Sequence, residues 1–215
     1  MIKRRGMADI SASQASDARQ VALTSLRDNM ALKQSLFQDQ DYLSMVSAVG
    51  CALADAIQRG GKVLFFGNGG SAADAQHLAA EFTGRFLIER RPLAGLALTV
   101  NTSSLTAIGN DYSFELVFAR QVEALGKPGD VAIGISTSGN SPNVLRAIEV
   151  ARKLQMVTVG LTGRSGKLSS AAEYCIRIPS DSTPRIQEAH ILTGHILCEI
   201  VDRQLFGSGA GEQNR

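Results

Sequence analysis

The chain has 215 residues, 44% hydrophobic and 20% charged, with a formal net charge of +2. That is the composition of one soluble globular domain long enough to bury a full core. A near-neutral chain without a basic face predicts no nucleic acid partner, and no apolar run reaches transmembrane length, so no membrane partner is expected.

The N-terminus carries Lys3-Arg4-Arg5 with no apolar stretch after it, so residues 1–12 read as a flexible start and not as a signal peptide. Cys51, Cys175 and Cys198 are scattered, without CxxC spacing. They read as reduced thiols of a cytoplasmic protein. Two amphipathic helical patterns follow, from about Ser13 to Phe37 and from about Asp41 to Arg59, the second closed by Gly60-Gly61. Residues 13–60 thus form a helical segment.

From residue 61 the texture changes. "KVLFFG", "AGLALTV", "DVAIGIS", "MVTVGLTG" and "YCIRIP" are short apolar runs, each followed by turn-rich sequence and most by a helical pattern. Strands buried on both faces look like this. The alternation predicts an α/β fold over 61–207, a doubly wound sandwich with a roughly five-stranded parallel sheet. A last helix spans about Pro184 to Phe206, and 208–215 read as a flexible tail.

Ligands of open α/β sheets sit beyond the carboxyl ends of the strands. Two such ends are rich in glycine and hydroxyls. One is Gly67-Asn68-Gly69-Gly70-Ser71. The other is Ser136-Thr137-Ser138-Gly139-Asn140-Ser141. Backbone N–H groups, hydroxyl donors and a following helix N-terminus suit a phosphate. Neither loop fits a dinucleotide or nucleoside triphosphate motif.

The chain has three histidines, His77, His190 and His195. His77 and Glu81 are four apart on the helix after the first loop, one turn apart on one face. Such a pair can share a zinc ion. The same spacing describes an ordinary helix-surface pair. On the last helix Gln187 and His195 differ by about 80°, and His190 lies about 140° from His195. Periodicity does not choose between the two histidines. Asp74, one turn before His77, can orient it or serve as a first-turn helix charge. Asp111 reads as a ligand or as the N-cap of a helix that it opens. Thr102 and Arg85 are further candidates, Arg85 equally a solvent or interface arginine.

The segments "GGKVLFFGNGGSAADAQHLAAEFTGRF", "LTAIGNDYSFELVFARQVEALGKPGDVAIGISTSGNSPNVLRAI" and "TPRIQEAHILTGHILCEIVD" together resemble the sugar isomerase (SIS) domain family, and within it the phosphoheptose isomerases. The resemblance runs from about Ser13 to Gly207. It implies an aldose–ketose isomerase that acts on sedoheptulose 7-phosphate through an enediol, in heptose supply for lipopolysaccharide core or other surface glycans. It implies one Zn2+ per subunit on His77, Glu81, Gln187 and His195, with Glu81 and His195 catalytic and their acid–base order open. The implied substrate contacts are Asn68, Gly69, Gly70, Ser71, Glu81, Asn110, Asp111, Ser136, Thr137, Ser138, Ser141 and Gln187. The implied assembly is a homotetramer with sites at subunit interfaces, acting on a small-molecule sugar phosphate.

Two positions depart from some members of that family, which carry Asp where Asn101 and Pro184 stand here; Asn101 is therefore given no catalytic role. Three other readings compete. One is a non-catalytic SIS protein that associates with a replication initiator, which the presence of Glu81 and His195 disfavours. Another is a sugar-phosphate-sensing regulator, but the first 60 residues hold no basic recognition helix. The third is isomerisation of a different sugar phosphate, since loop spacing does not count sugar carbons.

Overall fold

Strand β3 (Val131–Ser136) sits at the middle of the sheet, with β1 (Val63–Gly67) and then β2 (Gly95–Ala97) on one side and β4 (Val157–Thr162) and then β5 (Tyr174–Arg177) on the other. The order is β2-β1-β3-β4-β5 and every pairing is parallel. The computed structural model describes residues 12–207. The flexible ends expected at 1–12 and 208–215 lie outside these residues, save Ala12, which opens the first helix.

β1 and β3 are buried along their whole length, which is why both read as continuous apolar runs. Their alternate residues feed two cores. Val63, Phe65, Ile133 and Ile135 pack beneath α2 (Gln40–Gln58), α3 (Gly70–Thr83) and α8 (Thr183–Phe206). Leu64, Phe66 and Ala132 face α5 (Ala119–Leu125) and α6 (Pro142–Lys153). Phe65 meets Phe82 edge-on at 5.5 Å, and Phe66 meets Phe118 at 5.6 Å on the other face. α1 (Ala12–Gln38) precedes this sandwich, α4 (Thr102–Asp111) follows β2, and the short α7 (Leu168–Ala171) joins β4 to β5.

The predicted doubly wound sheet and both N-terminal helices are present. The "AGLALTV" run forms a strand over only three residues, and its Leu96 is exposed at the sheet edge. Asp111 does not open a helix: it is the last residue of α4, so its expected N-cap role is corrected. The cap of that helix is Asn101, whose side chain accepts from Ser104 N at 3.0 Å.

One consequence of the strand order governs the site. The order reverses between β1 and β3, and Gly67 pairs with Ile135 there. The two glycine- and serine-rich loops therefore leave the sheet side by side, at the topological switch point where such sheets bind ligands.

Candidate active site

The first loop delivers Gly69 as the N-cap of α3, with Gly70 its first residue and Ser71 buried behind it. The second loop is held by its own hydroxyls. Ser136 Oγ lies 2.9 Å from Ser141 Oγ and 3.4 Å from Ser138 Oγ. Ser141 is the N-cap residue of α6 but makes no side-chain cap bond, and Pro142 follows at the first turn. Among the first N–H groups of α3, Ser71 N bonds to Asn68 O and Ala72 N to Gly69 O, both at 3.0 Å, and Pro142 brings none to α6. Thr137, half-buried, accepts through its carbonyl from Gly163 N at 3.0 Å.

Asn68 and Asn143 tie the loops together. Each amide donates to the other's oxygen at 2.9 Å, and Asn143 Oδ1 also accepts from Val144 N at 2.9 Å. Asn143 was not a sequence candidate. Its partner is 75 residues away, so only the last residue of the "GNSPN" run hinted at it.

Along α3, His77 and Glu81 lie about 9 and 15 Å from Ser71 at 1.5 Å per residue. Their side chains meet, His77 Nε2 to Glu81 Oε1 at 3.1 Å. His195 of α8 arrives from the neighbouring helix, its Nε2 at 2.9 Å from His77 Nε2. The three ligand atoms lie within 4.8 Å of one another. Zinc holds imidazole nitrogen and carboxylate oxygen at about 2 Å in a tetrahedron, whose edges are then about 3.3 Å. The donor set and its spacing fit that ion. Phe86 stacks on His195 at 5.4 Å and 27°, an apolar wall that sequence reading missed.

The remaining candidates divide. Asp74 has a buried Oδ2 with no hydrogen-bond partner among the described residues. Burial pushes its carboxyl up to about 6, opposed by the charge of His77. Gln187 lies beside the first loop, where a Cβ at Gly70 would run into its amide. It precedes His195 by eight residues, about 12 Å of helix. Asn110 and Asp111 are exposed and bond to each other at 2.8 Å. Arg85 is exposed and 3.6 Å from Glu89, and Thr102 is exposed at the start of α4.

His190 faces away from the site. It is buried, with Nε2 at 3.1 Å from Thr162 O, and burial pushes it down to about 4. Burial also pushes the Cys175 and Cys198 thiols up, to about 11 and about 12, so neither supplies a thiolate near neutrality. Among the described residues, no helix is long and apolar enough to cross a membrane.

A parallel sheet with phosphate-suited loops at its switch point, beside a His–Glu–His cluster, defines a SIS-domain isomerase, and the SIS domain model matches residues 30–163. The chain is 50% identical over 183 residues to phosphoheptose isomerase 2 of Campylobacter jejuni, covering 85% of this chain and 91% of that one. It is 58% identical over 166 residues to the phosphoheptose isomerase of Solidesulfovibrio magneticus, covering 77% and 81%. The structure of the Neisseria gonorrhoeae phosphoheptose isomerase superposes with a TM-score of 0.79 at 42% identity, over 86% of this chain and 98% of that one. The chain belongs to the phosphoheptose isomerase family of SIS-domain enzymes.

Proposed function

We propose that this enzyme interconverts D-sedoheptulose 7-phosphate and D-glycero-D-manno-heptose 7-phosphate by moving a proton between C1 and C2 through an enediol. The observation that carries the reading is the meeting of His77, Glu81 and His195 some two turns along α3 from loops suited to a phosphate. A seven-carbon chain has its reacting carbons and its phosphate at opposite ends, and α3 separates the two chemistries by a comparable length. The names of the relatives support the heptose.

In this mechanism Ser71, Ser136, Thr137, Ser138 and Ser141 hold the phosphate with Gly69 and Gly70 backbone groups, and Asn68 keeps the loops spaced. Glu81 takes the carbon-bound proton and His195 Nε2 delivers a proton to the carbonyl oxygen while that nitrogen is not engaged by metal, or the two act in swapped roles. His77, Glu81 and His195 are the residues that would hold zinc, which when bound supplies positive charge for the developing oxyanion. Gln187, whose amide lies beside Gly70, contacts substrate and is the fourth residue that would hold the metal. Asn110 and Asp111, exposed here, complete a neighbouring site in a homotetramer. The product enters heptose supply for lipopolysaccharide core or another surface glycan, in the cytoplasm.

The test is to supply sedoheptulose 7-phosphate and follow aldose formation before chelation, after chelation and after zinc is restored. Turnover lost on verified metal removal and regained with zinc is expected. Turnover that survives verified metal loss removes the zinc assignment. No turnover by metal-loaded protein refutes the substrate and favours a binding protein. Glu81→Gln is expected to lower kcat by about 10²–10⁴-fold; a variant that lost metal and kept its rate would overturn the base role.

A further inference from the structure

We propose that Arg90, with Asp202, is a positioning pair that fixes Glu81 against His195 across the contact between α3 and α8. The inference rests on the reading of the His77–Glu81–His195 cluster as the reaction centre.

Arg90 lies in the loop after α3, yet its side chain is 2% exposed and that of Asp202 1%. Arg90 Nε donates to Asp202 Oδ1 at 2.7 Å. Nη2 donates to the carbonyl of Glu81 at 2.8 Å. Nη1 donates to the carbonyls of Phe82 at 3.0 Å, Gly84 at 3.2 Å and Arg91 at 3.1 Å. One guanidinium thus takes up carbonyls that the last turn of α3 leaves without helical partners. Its charge also suits the negative end of that helix.

Glu81 stands in a terminal turn, where helices fray. Arg90 holds the backbone of Glu81 itself. Asp202 follows His195 by seven residues on α8, an offset of about 20°, so it shares the face that carries His195. The guanidinium therefore bridges the Glu81 backbone and the His195 face. Asp202 Oδ2 also accepts from Leu87 N at 3.3 Å. Leu87 adjoins Phe86, whose ring stacks on His195. The pair governs two neighbours of one catalytic imidazole.

A buried ion pair is poor evidence for stability, since apolar replacements often do as well. An apolar pair cannot hold the Glu81 carbonyl. The fork geometry is specific to arginine, so lysine keeps the charge and loses most of the contacts.

The experiment compares wild type, Arg90→Lys and Tyr42→Phe. Tyr42→Phe removes a buried bond from Tyr42 Oη to Thr193 Oγ1, 2.8 Å long, on another side of α8. Zinc affinity is read by chelator competition, kcat and KM on sedoheptulose 7-phosphate, and the His77 and His195 imidazole signals by nitrogen NMR of metal-free protein. Arg90→Lys is expected to weaken zinc about 10–100-fold, to lower kcat with KM unchanged, and to shift both imidazole signals. Tyr42→Phe is expected to lower the melting temperature and leave all three readouts in place.

Wild-type zinc affinity and imidazole signals in folded Arg90→Lys would overturn the proposal. So would the same losses in Tyr42→Phe at equal destabilisation. A wild type that binds zinc without isomerising refutes the proposed substrate, and zinc affinity then decides the pair. A wild type that binds no zinc refutes the metal assignment, and the imidazole signals decide it.

Discussion

Asn143 exchanges two amide hydrogen bonds with Asn68, and this fixes the gap between the two loops that would grip a phosphate. Asn143→Ala leaves the amide of Asn68 without its partner. A lost buried bond of this kind costs about 1–3 kcal/mol. KM for the sugar phosphate should therefore rise about tenfold, by the relation that 1.4 kcal/mol is a factor of ten, with kcat kept within a few-fold. Steady-state kinetics on the heptulose phosphate check this, and an unchanged KM would show that the loops hold their spacing alone.

His190 allows a prediction of pH dependence. Burial depresses it from 6.5 to about 4 in the folded chain. Between these values the unfolded chain binds a proton that the folded chain refuses, so stability falls as pH drops from 6.5 towards 4. The loss approaches about 3 kcal/mol below pH 4. Asp74, raised to about 6, acts with the opposite sign over part of that range, so the effect is read as a difference: denaturant midpoints from pH 7 to 4 should fall more in wild type than in His190→Gln.

His77 and Glu81 were legible because both lie on one helix at a spacing that fixes their relation. Asn143, Phe86, Arg90 and Asp202 were not, because their partners come from distant segments: Arg90 and Asp202 are 112 residues apart.

The packing of α8 shows what element boundaries hide. Apolar periodicity located α2 and α8 to within a residue or two, yet it did not say how closely the helices approach. That distance is set by glycines. A Cβ on Gly194 would lie 2.5 Å from Leu78 Cδ2, and one on Gly50 2.6 Å from Ile200 Cγ2. The first contact joins α8 to α3 beside His195; the second joins α8 to α2. Gly194→Ala and Gly50→Ala should each destabilise by about 1–3 kcal/mol through overpacking. Only Gly194→Ala pries apart the helices that carry the cluster, so zinc affinity should fall in that variant alone. Equal loss of zinc in both would mean that affinity follows global stability. The strand between α3 and α4 was overread for a related reason: edge position, with Leu96 exposed, limits pairing to three residues in a run of apolar sequence twice that long.

At the scale of the whole molecule the outstanding feature is α1. Its 27 residues place Leu26, Met30 and Phe37 on one stripe, within about 40° of each other, and these are 61%, 69% and 73% exposed. A flank about 100° round the helix from that stripe is tied to α8 by polar contacts: Arg185 Nη1 donates to Ser25 O at 2.5 Å, and Asn29 donates to Glu188. A long helix with an uncovered apolar stripe marks a surface that another protein covers. In the proposed homotetramer that cover is a second copy of the chain. The stripe was visible as amphipathic periodicity, but periodicity cannot tell a helix that faces its own core from one that faces another subunit, and the assembly came from the resemblance. Replacing both Met30 and Phe37 with Glu places two charges where an interface would desolvate them. Light scattering should then report a smaller particle. The imidazole signals of His77 and His195 should persist, because α1 does not build that cluster. Isomerisation should fall steeply all the same, since Asn110 and Asp111 would no longer reach a neighbouring site. A charged variant that keeps both its size and its rate would place the interface elsewhere; one that loses its size and keeps its rate would make each chain's site complete on its own.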